Sequence, residues 1–177
     1  MASYTVQDLT ATEVSAMQRP VFDNLFQLYL YDHSEHTALG SRYGEVDEQG
    51  QFSYSPGLDS YWEEPGRVPL LIRADGCIAG FMLLHRWSAL DQPLDQAVAK
   101  FFVLRKYRMA RIGTRAAHLV FRRYPGRWEV AVADYNQEAL MFWRSAIRSL
   151  GVGVVEHEGD GHRWAGTVLC FDYPAAG

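Results

Sequence analysis

The sequence predicts a mixed α/β domain built around one sheet, and three local patterns support this prediction. Two apolar runs, residues 68–73 and 77–86, flank Ala74-Asp75-Gly76, which is the pattern of a β-hairpin. Residues 98–104 form a β-rich apolar run, and residues 112–123 follow with helical spacing. With the flanking segments, the predicted order is β-α-loop-β-β-β-α-β-α-β-β.

The N-terminal elements are predicted from a short β-type segment and a capping pattern. Residues 4–7 suit a first strand. Thr10-Ala11-Thr12-Glu13 has capping-box spacing, and apolar residues follow at helical intervals. This predicts a helix over residues 12–32 with a kink or break at Pro20. Residues 38–67 are irregular, and such a stretch inside a compact domain is more often functional than idle.

The C-terminal elements follow from alternation, caps and a glycine-rich turn. Residues 128–134 alternate as a strand, and Asn136 is a candidate N-cap for a helix that Gly151 closes. Residues 152–158 and 164–173 predict a closing hairpin. The length of 177 residues then suits a single domain that includes the whole chain, 1–177.

The composition favours a cytoplasmic globular protein. Hydrophobic residues make up 48% of the chain, which is enough for a packed core. No apolar run is long enough to cross a bilayer, and the first residues lack the features of a secretory signal. Cys77 and Cys170 lie far apart and suggest no disulfide framework, which favours a reducing compartment.

Charge is distributed unevenly along the chain. The net charge is -4, yet residues 105–127 hold eight basic residues and no acidic one. Residues 43–66 hold only acidic charges. The basic segment suits an anion and the acidic segment a cation, although both also suit a solvated surface. The acidic remainder of the chain argues against a nucleic-acid partner.

The strand, turn and helix at residues 101–114 predict a binding site. The first N–H groups of a helix have no intrahelical partners, and the helix dipole makes that end positive. Arg108, Arg111 and Arg115 add charge, so the turn suits a phosphate ester. It is neither a P-loop, since no Gly-Lys-Ser/Thr follows, nor a dinucleotide fingerprint, since it has one glycine.

This turn resembles a motif of the GNAT family of acetyl-CoA-dependent N-acetyltransferases. Arg108-Met109-Ala110-Arg111-Ile112-Gly113 is similar to the family's Arg/Gln-x-x-Gly-x-Gly/Ala, with Arg111 at the first glycine. Asn136-x-x-Ala139-x-x-Phe142-Trp143 is similar to the family's Asn-x-x-Ala-x-x-Phe-Tyr. The element order also resembles the family's across most of the chain. The resemblance implies the family's fold, a mixed, mostly antiparallel central sheet flanked by helices.

The resemblance implies acetyl-CoA as the acyl-donor cosubstrate and no metal. Turn amides would hold its pyrophosphate, and the preceding strand's backbone would pair with pantetheine and stabilise an oxyanion. Asn136 would hold the pantetheine arm, cap its helix, or do both. The implied contacts are Phe102, Val103, Leu104, Arg108, Met109, Ala110, Arg111, Ile112, Gly113, Thr114, Asn136, Phe142 and Trp143. If the turn needs a strained φ/ψ, the Arg111 side chain costs roughly 1–3 kcal/mol, which phosphate contacts would offset.

The catalytic groups are less well defined by the sequence. Many family members have a tyrosine at the position of Trp143 that protonates the leaving thiolate, which an indole cannot do. The family often has a carboxylate near the start of the motif strand, where this chain has Lys100. Candidates for the base that deprotonates the amine are His85, Glu129 and Asp134, each of which also suits a structural role.

The irregular segment is expected to form the acceptor wall. Asp59, Tyr61, Trp62 and Glu63 combine aromatic faces with carboxylates, which suits a cationic or aromatic amine. Tyr61 and Trp62 also suit an apolar cluster packed under the loop. The expected partners are acetyl-CoA and an amine acceptor, with no nucleic acid and no membrane, in a monomer or homodimer.

The function expected from these features is transfer of an acetyl group from acetyl-CoA to a primary amine of a small molecule or protein by direct attack. The departures at Lys100, Arg111 and Trp143 favour an alternative, a catalytically silent acyl-CoA-binding module. His33 and His36 are potential metal ligands, but no fixed third ligand is visible, so a solvated helix end is favoured over a metal site.

Overall fold

The computed structural model describes residues 6–38, 44–54, 57–108 and 111–175. Within these residues one seven-stranded sheet has the order β1-β2-β3-β4-β5-β7-β6. Its strands are β1 Leu9–Glu13, β2 Val68–Ala74, β3 Cys77–His85, β4 Gln96–Val103, β5 Gly126–Ala133, β6 Val154–Glu158 and β7 Gly166–Tyr173. Neighbours in this sheet are antiparallel except β4 and β5, which are parallel. The expected mixed, mostly antiparallel sheet is confirmed.

Helices cover both faces of the sheet. They are α1 Arg19–His33, α2 Ser60–Glu63, α3 Arg105–Arg108, α4 Ile112–Arg123 and α5 Gln137–Arg148. α1 and α2 pack on the face that presents Phe81 and Phe102, whereas α4 and α5 pack on the opposite face, around Trp128. Because side chains alternate along a strand, Phe101 joins the α4–α5 side and Phe102 the α1 side. No helix among the described residues is both long enough and apolar enough to cross a bilayer.

The predicted N-terminal helix begins too early. The segment with capping-box spacing forms the edge strand β1, in which Leu9 pairs with Ala74 of β2. The helix instead follows Ser15, whose N–H donates to the Gln18 side-chain oxygen at 3.2 Å. Pro20 lies in the first turn of α1, where its missing N–H costs no hydrogen bond, so it marks a start and not a kink. Pairing with β2 overrides the local helical pattern.

The other predicted elements are confirmed with small shifts of their ends. The first hairpin turns at Asp75 and Gly76, both with positive φ. Helix α4 has its predicted bounds, and Asn136 caps α5. β6 and β7 form the closing hairpin. The predicted strand at residues 4–7 lies partly outside the described residues, and its described part is not in a strand.

The sheet opens between β4 and β5. These strands pair from Gln96 with Trp128 to Val98 with Val130, and beyond that point they separate. The β3–β4 register shifts at the same place, which leaves Ala99 as the extra residue of a β-bulge. The last residues of β4 therefore pair with β3 on one side and face a gap on the other.

Candidate functional site

A cleft of about 410 Å³ occupies the gap between β4 and β5. It is bounded by the C-terminal end of α1, the end of β4, and the N-terminal turns of α4 and α5. This main cleft is lined by Tyr29, Asp32, His33, Glu35, His36, Phe101, Phe102, Val103, Arg108, Arg111, Gly113, Thr114, Asn136, Glu138, Ala139, Phe142 and Trp143. Most of the coenzyme contacts expected from the two sequence motifs are thus brought to one place.

Some of the expected contacts do not line this cleft. The Leu104 N–H donates to the Ala79 carbonyl at 2.8 Å, so it serves the β3–β4 pairing. The Ile112 side chain is fully buried and packs in the core under β4. Met109 and Ala110 lie outside the described residues.

Strand alternation determines which backbone groups face the gap. Because the Leu104 N–H points to β3, the N–H and carbonyl of the preceding residue, Val103, point to the opposite side. The Val103 carbonyl accepts a hydrogen bond from Arg108 Nε at 2.8 Å. The Val103 N–H is therefore a donor that β4 offers to a ligand in the main cleft.

Arg111 adopts the left-handed conformation, with φ 54° and ψ 21°, directly before α4. For a residue with a Cβ this conformation costs about 1–2 kcal/mol. The turn thus has a backbone geometry suited to glycine, although it carries an arginine. Its guanidinium makes no hydrogen bond or ion pair with the described part of the chain, while both neighbouring arginines do. Arg111 is therefore free to contact an anionic ligand.

The first turn of α4 provides backbone donors beside this arginine. Arg115 N–H donates to the Arg111 carbonyl at 3.1 Å, and the amides of residues 112–114 come before that bond, at the positive end of a 12-residue helix. Gly113 lets α4 approach α5, since a Cβ there would lie 3.1 Å from the Phe142 ring. This end of α4 is suited to an anion such as a pyrophosphate.

Arg108 is engaged with protein groups. Besides Val103, its guanidinium binds Asp32 of α1, which also accepts from Arg105 Nε at 2.9 Å. Burial alone would raise the pKa of Asp32, but the hydrogen bonds and charges of Arg108 and Arg105 outweigh it and hold the pKa below its usual range. Asp32 therefore neutralises part of the arginine charge at the cleft. No local pattern could have indicated this contact, because Asp32 and Arg108 are 76 residues apart.

The second motif forms the α5 wall of the cleft. Asn136 Oδ1 accepts from the Ala139 N–H at 3.0 Å, and its side chain also lines the cleft, so its amide nitrogen remains available to a ligand. Phe142 stacks on Phe101 with ring centres 5.6 Å apart. Trp143 is buried, with its ring 5.2 Å from Phe101. The indole therefore makes an apolar floor and offers no acid.

Sequence reasoning missed the contribution of α1 to this site. His33 and His36, expected at a solvated helix end, line the main cleft. His33 Nε2 lies 3.0 Å from the Tyr135 hydroxyl. Burial, together with the charges of Lys100 and His36, lowers the pKa of His33, and burial raises the pKa of Tyr29. The helical spacing of His33 and His36 shows that they share a face but not what that face meets.

Two further clefts lie on the α1 side of the sheet. The side cleft, of about 430 Å³, shares Tyr29, His33 and His36 with the main cleft. The sheet-face cleft, of about 200 Å³, shares Tyr54 and Lys100 with the side cleft. The three clefts therefore adjoin one another from the α4 turn to the centre of the sheet.

The three candidate bases are in different surroundings. His85 lines the sheet-face cleft, and burial, aided by the charges of Arg67 and Lys100, lowers its pKa to about 4. Glu129 lines the same cleft, but its oxygens accept from Ser88 Oγ at 2.7 Å and from the Ala89 N–H at 2.9 Å. Glu129 therefore anchors the loop after β3. Asp134 is exposed and lines none of the three clefts.

The expected acceptor residues are mostly outside the clefts. Asp59 is paired with Arg19, whose guanidinium also lies 5.0 Å from the centre of the Trp62 ring. Tyr61 is buried and lines the sheet-face cleft, as one would require of an acceptor wall. Asp59, Trp62 and Glu63 line none of the three clefts. The carboxylates of Asp59 and Glu63 are thus not placed to hold a cationic acceptor in these clefts.

Comparison with solved structures supports the same fold over nearly the whole chain. An acetyltransferase of the GNAT family from Staphylococcus aureus is 13% identical with a TM-score of 0.57, covering 93% of this chain and 99% of its own. An acetyltransferase from Thermus thermophilus is 15% identical with a TM-score of 0.62, covering 95% and 97%. The PaiA N-acetyltransferase from Thermoplasma acidophilum, solved with coenzyme A, is 12% identical with a TM-score of 0.59, covering 94% and 100%.

By sequence alone, no family profile and no curated protein matches this chain. The likeness to the solved structures is therefore one of fold. The fold is that of the GNAT acetyltransferases, as the two motifs indicated.

Proposed function

Starting from the fold of the GNAT acetyltransferases, we propose that this chain transfers an acetyl group from acetyl-CoA to a primary amine of a small molecule or protein. The observation that supports this proposal best is the main cleft. There, a gap between two parallel strands meets the N-terminal ends of two helices. One of these ends carries Arg111, whose guanidinium has no partner in the described part of the chain. A long, multiply charged thioester needs such a combination of an anion seat and an open strand edge.

The chain's own groups fit such a ligand. The amides of residues 112–114 and the Arg111 guanidinium would hold the pyrophosphate. The Asn136 amide and the gap-facing edge of β4 would bind the pantetheine arm. The apolar surface of Phe101, Phe142 and Trp143 would exclude water from its reactive end.

Direct attack requires few groups from the protein. Acetyl-CoA supplies a thioester carbonyl, the amine forms the new C–N bond, the C–S bond breaks, and the amine's proton balances the departing thiolate. The Val103 N–H would stabilise the oxyanion. His85, neutral at pH 7, and Glu129 are the candidates that accept the amine's proton. Both already accept hydrogen bonds from the protein, since the Trp87 N–H donates to His85 Nδ1 at 3.1 Å and Ser88 and Ala89 donate to Glu129. The His33–Tyr135 pair is the candidate donor to the thiolate.

A paired measurement of binding and turnover tests the proposal. Calorimetry should detect acetyl-CoA binding, and release of free thiol should accompany acetylation of at least one member of an amine panel. Arg108→Ala should weaken acetyl-CoA binding, since it removes the contact to the Val103 carbonyl and the ion pair with Asp32. Absence of any binding at millimolar acetyl-CoA would refute the proposal.

The second candidate function is a catalytically silent acyl-CoA-binding module. The buried Trp143 favours it, because an indole stands where the motif has a proton donor. The same measurements separate the two functions. Acetyl-CoA binding without thiol release for every amine in the panel would establish the module.

A further inference from the structure

Lys100 lies where the side cleft and the sheet-face cleft meet. It is half-buried in β4, immediately after the β-bulge and within the part of the strand that has separated from β5. Its ammonium has no hydrogen-bond acceptor and no carboxylate partner among the described residues, and it lies 6.0 Å from the centre of the Tyr54 ring. Lys100 thus lines both clefts with no hydrogen-bond or ion-pair partner in the described part of the chain, and its ammonium faces the Tyr54 ring.

The charges around Lys100 do not compensate it. The described lining of the side cleft contains no carboxylate. In the sheet-face cleft, Arg67 is paired with Glu64 at 2.6 Å, and Glu129 is held by Ser88 and Ala89. The charge left over in the described lining of the side cleft is therefore that of Lys100. In the sheet-face cleft the Glu129 carboxylate is held by these neutral groups and forms no ion pair with Lys100 among the described residues.

An uncompensated cation at this depth is costly to the free protein. Burial lowers the pKa of Lys100, and no neighbouring negative charge acts against that shift. A ligand anion would replace the lost hydration and restore the charged form. Tyr54, Tyr61, Trp87 and Trp164 line the sheet-face cleft and provide apolar surface beside the charge.

On the basis of the proposed function, we infer that the acceptor is a primary amine that also carries a carboxylate, and that Lys100 binds this carboxylate. An amino acid is the simplest molecule of this class. Its carboxylate would lie at Lys100 and its amine would point through the side cleft toward the main cleft. The base candidates of the sheet-face cleft would then reach the amine through water. The acceptor would thus carry a negative group at this site, whereas Asp59 and Glu63 had suggested a cationic acceptor. Those two carboxylates lie outside the clefts.

Matched acceptors and matched variants test the inference. The twenty amino acids and their primary amides would be compared by kcat/KM in the wild type, Lys100→Met and Lys100→Arg. The wild type should prefer the best acid over its amide by about tenfold or more, as a charge-assisted contact allows. Lys100→Met should abolish this preference, whereas Lys100→Arg should keep part of it. Acetyl-CoA affinity should not change, because Lys100 does not line the main cleft.

The results also separate other roles of Lys100. Equal use of acids and amides by the wild type would overturn the inference while leaving acetyl transfer intact. A Lys100→Arg variant that is as inactive as Lys100→Met toward acids and amides alike would identify a proton acceptor instead, because arginine keeps its proton. Lys100→Met should fold, since it removes a desolvated charge from an apolar site, and its melting temperature checks this.

A binding measurement keeps the inference testable if no transfer is seen. The twenty N-acetyl amino acids and their amides would be titrated into the wild type and Lys100→Met, followed by thermal shift. Tighter binding of at least one carboxylate than of its amide, lost in Lys100→Met, supports the anion site whatever acetyl-CoA does. If no carboxylate binds more tightly than its amide, the inference about Lys100 fails. The proposed function is judged by a different measurement, the binding of acetyl-CoA.

Discussion

Arg111 illustrates how a single residue can depart from a motif without changing the backbone. Its left-handed φ of 54° is the geometry that glycine adopts most easily. The cost of this conformation is compatible with a role for the side chain, since the guanidinium is unpaired among the described residues and lines the main cleft. Replacing Arg111 with glycine should therefore raise the stability of the fold and lower its affinity for the ligand.

We predict that Arg111→Gly raises the free energy of unfolding by about 0.5–1 kcal/mol, because the relief of strain exceeds the extra flexibility of glycine in the unfolded chain. The same change should weaken acetyl-CoA binding about tenfold, because a charge-assisted phosphate contact is lost. Urea unfolding and calorimetry measure the two effects. Arg111→Ala is the matched control, since it keeps the strain and should lose affinity without gaining stability.

Asp32 is a second residue whose effect is measurable. Its two arginine partners hold its pKa below the unfolded value, so the pairing stabilises the fold above about pH 4, the approximate unfolded pKa. That stability is lost as the pH falls through the lowered pKa of the folded state. Asp32→Asn should therefore lower the free energy of unfolding by about 1 kcal/mol at neutral pH. The difference in the free energy of unfolding between wild type and Asp32→Asn, measured by urea unfolding, should shrink as the pH falls below the unfolded pKa of Asp32. A difference that stays constant with pH would contradict the assignment.

At the scale of elements, the N-terminal turn of α5 combines a helix cap with a cleft wall. Asn136 Oδ1 caps the helix through Ala139, while the rest of its amide faces the main cleft. The sequence left both roles open. The structure allows them to be simultaneous, because they use different atoms of one side chain.

We predict that Asn136→Ala destabilises the protein by about 1 kcal/mol through loss of the cap, and that Asn136→Ser restores most of this loss. Both variants should weaken acetyl-CoA binding several-fold, since neither retains the side-chain N–H donors. Thermal unfolding and calorimetry check the two effects. If Asn136→Ser binds acetyl-CoA as the wild type does, Asn136 is a cap alone.

The edge strand β1 shows where local pattern and tertiary context disagree. Leu9–Glu13 carries a helical capping pattern, yet β2 offers it a row of backbone partners and α4 covers it. Arg123 Nη1 donates to the Ala11 carbonyl at 3.0 Å and so ties this strand to α4. Contacts 112 residues apart in sequence leave no trace in a local window.

At the scale of the whole molecule, the N- and C-terminal parts of the chain are joined by one sheet. β1 lies at one edge and β6 at the other, and α4 contacts β1 across the face. Arg115 Nη1 also donates to the Val6 carbonyl at 2.9 Å. These contacts tie the first described residues and β1 to α4, which lies more than 100 residues later in the chain.

We therefore predict that the chain unfolds as a single domain. Tryptophan fluorescence and far-UV circular dichroism should give the same urea midpoint, because Trp128 and Trp143 lie in the core that α4 and α5 form with the sheet. Saturating acetyl-CoA should shift both midpoints together. Two separate transitions would show that the chain has more than one cooperative unit.

The sequence by itself determined the central hairpin, the strand–turn–helix whose helix end is suited to an anion, and the capped helix α5. These depend on turn chemistry, capping and periodicity, which are properties of neighbouring residues. Only the tertiary structure decided that Asp32 neutralises Arg108, that His33 lines the cleft, and that Lys100 is left unpaired among the described residues. Each of these depends on which elements meet in space, and that is decided by the packing of the whole chain around the sheet.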